Sequence, residues 1–440
     1  MRITMTSPML RQRRRAERCW SPRSRLAGLL GVELAGECIS AVLPETNGIG
    51  SARPRFGADL ALVRSSTTRW LSRADGTIKR LPPDGWRSEA GVYGPSTNLC
   101  LQSEGFTSGT WVRSIDLPVL DGTVAGPLPT VFRCNDPGTS GFNALSQTLS
   151  GLTDGQPHAI SLFVKAGTTT GFAIGLYDAT APAFVGRSDF TVSGESIRWS
   201  STSAGSYVLE PVPQSSWYRI TIRSTSVVAA HSNRFVIYVT PPGVTQVGYL
   251  YLSGAQAQVG ALAQPYIPTT TAAASRSADQ VNLPTAGLQP AFTVGLVTRI
   301  LDHAGTPTVL NLPGTAGSNN RLEIAVSPTT GLNVTIYDST GAAKTWTQNA
   351  VPVDRETARW IVRNDNAGGL RAWKNGTELT LAVAGAGTGV RDGVSATLQL
   401  GRTETGNFLQ GELRGCLQFG RALDPAQIAR LQAALMRLES

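Results

Sequence analysis

The chain has 440 residues, of which 41% are hydrophobic and only 16% charged, with 47 glycines and 26 prolines. That length allows two or three cores, and the mix suits many short strands joined by turns rather than a helical protein. The net charge of +9 is local: residues 1–25 hold eight arginines against one acid, Glu17, leaving about +2 on the rest, so nucleic-acid recognition along the body is not expected.

Residues 1–50 read as a basic arm without a sustained strand pattern, densest at Arg11, Arg13, Arg14, Arg15 and Arg18. Such an arm is either a solvated tail or an anchor for phosphate, acidic lipid or an acidic protein face. The apolar run from Leu26 to Leu34 is short and interrupted by Glu33, and Glu37 stands just before Cys38, so neither a signal peptide nor a lipoprotein box is expected. No stretch approaches the roughly 18 apolar residues that span a bilayer, and no membrane association is expected. The cysteines, at 19, 38, 100, 134 and 416, form no C-x-x-C pair, so neither a zinc site nor a disulfide framework is expected.

Residues 51–105 read as a leader with short strands. Leu62 to Trp70 and Ala74 to Ile78 are extended pieces around an Asp75-Gly76 turn, and Pro82-Pro83-Asp84-Gly85 breaks the pattern. From 106 to 268 strands follow one another. Ile160, Leu162 and Val164 share a face, as do Phe172, Ile174 and Leu176, then Tyr218, Ile220 and Ile222, then Phe235, Ile237 and Val239. Period-2 alternation in short runs means half-buried antiparallel strands, and their spacing fits a sandwich or jelly roll.

Residues 269–290, rich in Thr, Ala, Ser and Pro, read as a linker. A second β domain is expected over 291–440, with alternation at Phe292, Val294 and Leu296, at Leu322, Ile324 and Val326, and at Leu332, Val334 and Ile336. Asn375-Gly376 predicts a tight hairpin turn. A final helix is predicted from Asp424 (cap), Pro425 (first turn) and Gln427 (capping-box spacing), its stripe of Ile428, Leu431, Leu435 and Leu438 packing on the sandwich.

Catalytic constellations are hard to find. His158, His231 and His303 are far apart; His158, after Gln156-Pro157, reads as a turn residue opening a strand. No Gly-x-Ser-x-Gly elbow, phosphate loop or dinucleotide motif is present. A glycosidase needs two carboxylates across a cleft. Glu412 stands alone on its strand, Glu323 lies between Leu322 and Ile324, and Glu404 lies in a polar loop. The chain is therefore expected not to be an enzyme, and no catalytic residue, metal ligand or cofactor is assigned. Sugar binding is the stronger expectation, since exposed aromatic rings stack on pyranose faces while amides and charged groups take the hydroxyls. The candidates are Trp346, Tyr337 and Gln348 in the second domain, with Trp199 and Tyr207 near Ser-rich turns of the first. Trp217, Trp360 and Trp373 lie in strand patterns and are expected in cores.

Two stretches carry a resemblance. Thr97-Asn98-Leu99-Cys100-Leu101-Gln102-Ser103-Glu104-Gly105-Phe106 opens the first β segment. Gly254-Ala255-Gln256-Ala257-Gln258-Val259-Gly260-Ala261, running into Tyr266-Ile267-Pro268-Thr269-Thr270, closes it. With Trp217-Tyr218-Arg219 and the leader, they resemble bacteriophage tail and virion proteins built on a jelly roll like that of carbohydrate-binding modules, over about 60–280. Ser96 stands where that family often has arginine, and Cys100 where leucine is usual. Over about 290–440, the order of Trp360-Ile361-Val362, Leu370 to Gly376, Leu398 to Gly401, Gly411-Glu412-Leu413 and Arg421 to Asp424 resembles the concanavalin A-like sandwich of laminin G-type domains, with Asn375 in place of the usual aspartate.

The fold expected is all-β: two tandem antiparallel sandwiches, jelly roll then concanavalin A-like, with a disordered basic N-terminal arm and a C-terminal helix. The first resemblance implies a virion protein made in the host cytoplasm. Its implied partners are other virion proteins, further copies of itself and host-surface glycan, with no specific nucleic-acid recognition. Its place would be the tail, with capsid decoration and a tail depolymerase as alternatives. Both sandwich families commonly hold structural calcium, for which Asp338, Asp365 and Asn366 offer oxygens.

Overall fold

A computed structural model describes residues 38–42, 61–63, 69–72, 78–81, 91–212, 215–284, 289–301, 306–314, 319–392, 397–401, 403 and 407–439. The arginines of the arm (11, 13, 14, 15 and 18), together with His303 and Glu404, lie outside these. Among the described residues, the regular elements are strands except for one C-terminal helix. It divides into two compact units. One comprises Met1–Val63, Trp86–Gly94 and Asp279–Ser440; the other comprises Arg64–Gly85 and Pro95–Ala278.

Six short strands precede the main run: β1 (Cys38–Val42), β2 (Ala61–Val63), β3 (Arg69–Ser72), β4 (Ile78–Leu81), β5 (Gly91–Val92) and β6 (Ser96–Asn98). β3 and β4 pair antiparallel with each other, Ser72 opposite Ile78. β1, β2 and β5 instead join the sheets of the C-terminal sandwich. The basic N-terminal region, expected without strands, therefore supplies one at Cys38–Val42. Its partner lies near the other end of the chain, so local pattern did not reveal it.

The jelly roll follows, with β7 (Val112–Arg113), β8 (Val119–Leu120), β9 (Phe132–Pro137), β10 (Ala144–Thr148), β11 (His158–Lys165), β12 (Gly171–Asp178), β13 (Ala183–Ser193), β14 (Ser196–Ala204), β15 (Ser206–Pro211), β16 (Trp217–Arg223), β17 (Asn233–Tyr238) and β18 (Val247–Val259). They form two six-stranded antiparallel sheets, in the orders β14-β13-β12-β17-β10-β7 and β15-β16-β11-β18-β9-β8. The alternating residues meet between the sheets: Ile160, Leu162, Val164, Phe172, Ile174, Leu176, Ile220, Ile222, Phe235 and Ile237 are essentially inaccessible to water. Each such side chain contributes roughly 1.5–3 kcal/mol on burial.

The remaining strands are β19 (Ala274–Arg276), β20 (Gln280–Pro284), β21 (Phe292–Ile300), β22 (Thr308–Leu312), β23 (Leu322–Ser327), β24 (Gly331–Tyr337), β25 (Ala343–Thr347), β26 (Thr357–Asn364), β27 (Leu370–Lys374), β28 (Thr377–Glu378), β29 (Ala382–Ala384), β30 (Thr397–Leu400) and β31 (Gly411–Phe419), with helix α1 (Pro425–Glu439). The stretch 269–290, read above as a linker, is thus partly strand. β19 pairs with β6 in a separate two-stranded sheet, and β20 lies between β2 and β30. Thr, Ala and Ser suit short strands as well as a linker, which is why composition misled.

The C-terminal sandwich packs the sheet β1-β31-β21-β26-β27-β28, to which β5 adds, against the sheet β2-β20-β30-β22-β23-β24-β25-β29. Val294, Leu296, Leu310, Ile324, Val334, Trp360, Ala372 and Leu413 fill the space between. Asn375 (φ 52°) and Gly376 (φ 90°) form the tight turn from β27 to β28, both in the left-handed region that this hairpin type requires. α1 opens with a reciprocal capping box: Gln427 N donates to Asp424 Oδ1 (2.8 Å), and Asp424 N donates to Gln427 Oε1 (3.1 Å). Its Ile428, Leu431 and Leu435 bury against Val297, Ile361, Trp373, Leu417 and Phe419 on the outer face of the first of these sheets.

Candidate functional site

The two stretches that carry the sequence resemblance meet inside the jelly roll, and Asn98, Ser103, Gln256, Gln258 and Thr269 are buried there. Asn98 Nδ2 donates to the carbonyls of Ala255 (3.1 Å) and Ile267 (2.7 Å), and Asn98 Oδ1 accepts from the amides of Cys100 and Ala257. Gln256 Nε2 donates to Gln258 Oε1 (2.5 Å), and Gln256 Oε1 accepts from Ile267 N (2.8 Å). Tyr266 and Ser103 hydroxyls bond at 2.7 Å, and burial pushes the Tyr266 phenol well up. These side chains satisfy backbone groups where irregular chain packs against the sheet, a requirement for burying it. The signature is a seam holding the ends of the domain together, not a ligand surface.

Trp346, expected as a stacking platform, is 3% exposed and belongs to the core of the C-terminal sandwich. It faces the same side of the sheet as its cross-strand partner Val334, and Gly389 and the Lys344 side chain lie against its ring. Tyr337 has the opposite parity on β24 and points outward, half-buried, beneath the Arg321 guanidinium at 5.4 Å. Gln348 continues β24–β25 pairing through its amide to Leu332 O. The three do not form one surface: the polar neighbours of Trp346 obscured the fact that alternation places it inward.

Trp199 and Tyr207 do come together. Trp199 lies on β14, the edge strand of one jelly-roll sheet, and Tyr207 on β15, the edge strand of the other. Gly205 (φ 72°) joins them; a Cβ there would meet the Arg223 carbonyl oxygen at 2.0 Å, so the corner needs glycine twice over. The two rings stack at 5.3 Å with 5° between planes, and Tyr207 rests edge-on against buried Phe190 at 6.1 Å. Trp199 is 46% exposed. Its Nε1 donates to Thr202 Oγ1 (2.9 Å), which in turn bonds Ser188 Oγ (2.8 Å), so the indole is fixed before any ligand arrives.

Beside this stack, the outer face of the same sheet carries residues that the sequence reading missed. Register places Gly175 between Arg187 and Val236, and Ala173 between Asp189 and Tyr238, all on one face. Phe184 lies against Gly175, with Tyr177 at 5.0 Å and Tyr238 at 6.4 Å. The Arg187 guanidinium sits over the Phe184 and Tyr238 rings at 5.0 and 5.8 Å and pairs with Asp189 at 2.8 Å. Ser201 Oγ also donates to Asp189 (3.2 Å), linking the cluster to β14. Burial raises the Tyr238 phenol above its ordinary range, with Arg187 partly offsetting it. The signal was available: in strands whose apolar parity was read, the other parity holds Tyr177 and Tyr238.

The remaining candidates have structural partners. His158 is fully buried rather than a surface turn residue; its Nε2 accepts from Thr153 N, and burial lowers its pKa. His231 Nδ1 bonds Asp178 Oδ2 at 2.6 Å. Glu412 is bound on one oxygen by Arg299 (3.2 Å) and on the other by Arg414 (2.8 Å), and Glu323 by Arg321 (2.6 Å). Asp338 accepts from the Thr340, Ala342 and Thr388 amides, and the Thr340 hydroxyl and these amides hold it down to about 2. Asp365 caps the turn to Gly369, and Asn366 brackets the Arg391 backbone. The oxygens considered for calcium are thus engaged in turns, and no cluster of three His, Cys, Asp or Glu side chains is placed to hold a metal among the described residues. Cys100, Cys134 and Cys416 are buried free thiols. Among the described residues no helix is long and apolar enough to cross a membrane.

No known protein family matches the chain, and no curated protein matches it. Solved structures overlap parts of it. The CBM40 of the Ruminococcus gnavus IT-sialidase, bound to α2,3-sialyllactose, is 11% identical over 33% of this chain and 83% of its own, with a TM-score of 0.27. Domain 4 of AbnA, a GH43 extracellular arabinanase from Geobacillus stearothermophilus, in complex with arabinotriose, is 16% identical over 38% of this chain and 80% of its own, with a TM-score of 0.28. The receptor-binding domain of botulinum neurotoxin D is 10% identical over 36% of this chain and 42% of its own, also at 0.28. Overlaps this low carry no argument about ligand, and the chemistry rests on the side chains described above.

Proposed function

We propose that this chain is a non-enzymatic structural component of a bacteriophage particle, associated with the tail, whose jelly roll attaches the particle to a host-surface glycan. The observation that carries the glycan reading is the exposed, hydrogen-bonded Trp199 stacked on Tyr207. A rigid apolar ring rimmed by hydroxyls matches the two-sided chemistry of a sugar. The phage setting rests on the resemblance of the 97–106 and 254–270 stretches. Other virion proteins and further copies of the chain are its partners in this reading, and the basic arm its anchor. One shallow platform binds weakly, and many copies on a particle compensate through avidity.

The test is retention on host-surface polysaccharide. Wild type should be retained, Trp199→Ala should lose at least tenfold in apparent affinity with an unchanged melting profile, and no oligosaccharide should be released. Retention that survives Trp199→Ala would remove this platform. Released oligosaccharides would replace adhesion with depolymerisation. Labelling the chain in purified particles separates tail from capsid decoration.

A further inference from the structure

The second jelly-roll sheet also has an outer face, and it differs in charge from the first. Register puts Tyr251 on β18 opposite Arg133 on β9 and, on its other side, opposite Lys165 on β11. Residues directly opposite one another share a face, so Arg133, Tyr251 and Lys165 form one transverse row. With strands about 4.8 Å apart, the two cations flank the tyrosine at a Cα separation of about 10 Å. Arg133 is exposed, and Tyr249, Tyr251 and Lys165 are half-buried.

The arginine is held in place. Its guanidinium lies over the Tyr249 ring at 4.2 Å, and its Nε donates to Asn135 Oδ1 at 3.0 Å. Among the described residues its two terminal nitrogens have no hydrogen-bond partner, and such a fork takes a carboxylate bidentately. Among the described residues no carboxylate lies within ion-pair distance of Arg133 or Lys165. Asp121, an acid within electrostatic reach of Arg133, accepts from the Thr123 amide (3.0 Å) and hydroxyl (2.6 Å) through Oδ1. On the first sheet, by contrast, Arg187 is already neutralised by Asp189 at 2.8 Å.

We propose that Arg133, Tyr251 and Lys165 form a second saccharide site on this face, selective for acidic sugars. The ring packs on Tyr251, and its carboxylates engage the Arg133 fork and the Lys165 ammonium. The saccharide class rests on the glycan-binding reading above; the preference for charge rests on these three residues alone.

The experiment uses the full chain on immobilised polygalacturonate and alginate, each also as its carboxyl-reduced, uncharged form, read by surface plasmon resonance. Wild type should bind at least one acidic polymer at least tenfold more tightly than its reduced form, with that margin shrinking at high salt. Arg133→Gln with Lys165→Gln should abolish the margin without changing the melting profile, while Trp199→Ala should leave it. A margin that survives the double substitution, or the absence of any margin in wild type, overturns the acidic site while Trp199-dependent binding to reduced polymers keeps the parent reading. Binding to no acidic, reduced or host polysaccharide overturns both.

Discussion

Replacing Trp346 by alanine is expected to cost the C-terminal sandwich about 3–5 kcal/mol, the usual range for emptying a large buried aromatic site. Thermal unfolding should show this as a lower midpoint without any change in glycan retention. Trp199→Ala should do the reverse. The same residue type separates into two roles because one indole faces the sandwich core and the other sits where two edge strands meet. Asp338 belongs to this scale as well. Its pKa falls from 3.8 to about 2, chiefly through the Thr340 hydroxyl and the Thr388 amide. A lowered carboxylate stabilises the fold above its unfolded pKa and loses that contribution as pH falls through the folded one. The melting midpoint of wild type should therefore approach that of Asp338→Ala between pH 4 and 2, and differ from it most at neutral pH.

At the scale of elements, α1 closes a sheet face that would otherwise be exposed. Ending the chain at Leu423 uncovers Val297, Ile361, Leu417 and Phe419, and removes the burial of Ile428, Leu431 and Leu435. At roughly 1.5–3 kcal/mol per side chain, that loss exceeds the stability margin of many domains, so the truncated protein should melt early or aggregate. Asp424→Ala, which removes only the cap, should cost about 1 kcal/mol. The helix was legible because cap, first-turn proline and apolar stripe are all local. The long strands were legible for the same reason: β11, β12 and β16 state their facing in their own alternation. β1 and β5 were not, and β2, at the start of the extended piece read from Leu62 to Trp70, gave no sign of its place in the sandwich. Runs of two to five residues carry little periodicity, and their partners lie hundreds of residues away. Trp346 failed more narrowly, since Lys344, Thr345, Thr347 and Gln348 are polar at both parities and hide which side is the core. The aromatic–arginine cluster around Phe184 needed a register between strands that no single segment contains.

For the whole molecule, the grouping of strands makes the jelly roll an insertion within the C-terminal sandwich rather than the first of two successive beads. The chain leaves the sandwich after Val63, returns for Trp86–Gly94 and leaves again until Asp279, where the Asp279 amide donates to Tyr93 O at 2.9 Å and Tyr93 N donates to Asp279 Oδ2 at 3.2 Å. Replacing 95–278 by a short flexible linker should therefore leave a folded, cooperatively melting sandwich. A chain beginning at residue 290 lacks β1, β2, β5 and β20, and should not fold stably. Circular dichroism melts of the two proteins would show which arrangement holds.

That connectivity also sets how tension travels. Pulled from its two ends, the chain can pass load around residues 95–278, because the Tyr93–Asp279 contacts short-circuit that segment. Residues 95–278 bear no backbone tension until those contacts rupture. Even then, β6 and β19 hold its entry and exit together through the pairs Ser96–Arg276, Thr97–Ser275 and Asn98–Ala274. A domain gripping a surface would in this way keep its grip while the scaffold that carries it is strained. In a single-molecule stretching trace the sandwich should extend first, and the jelly roll should contribute its length only in a second event.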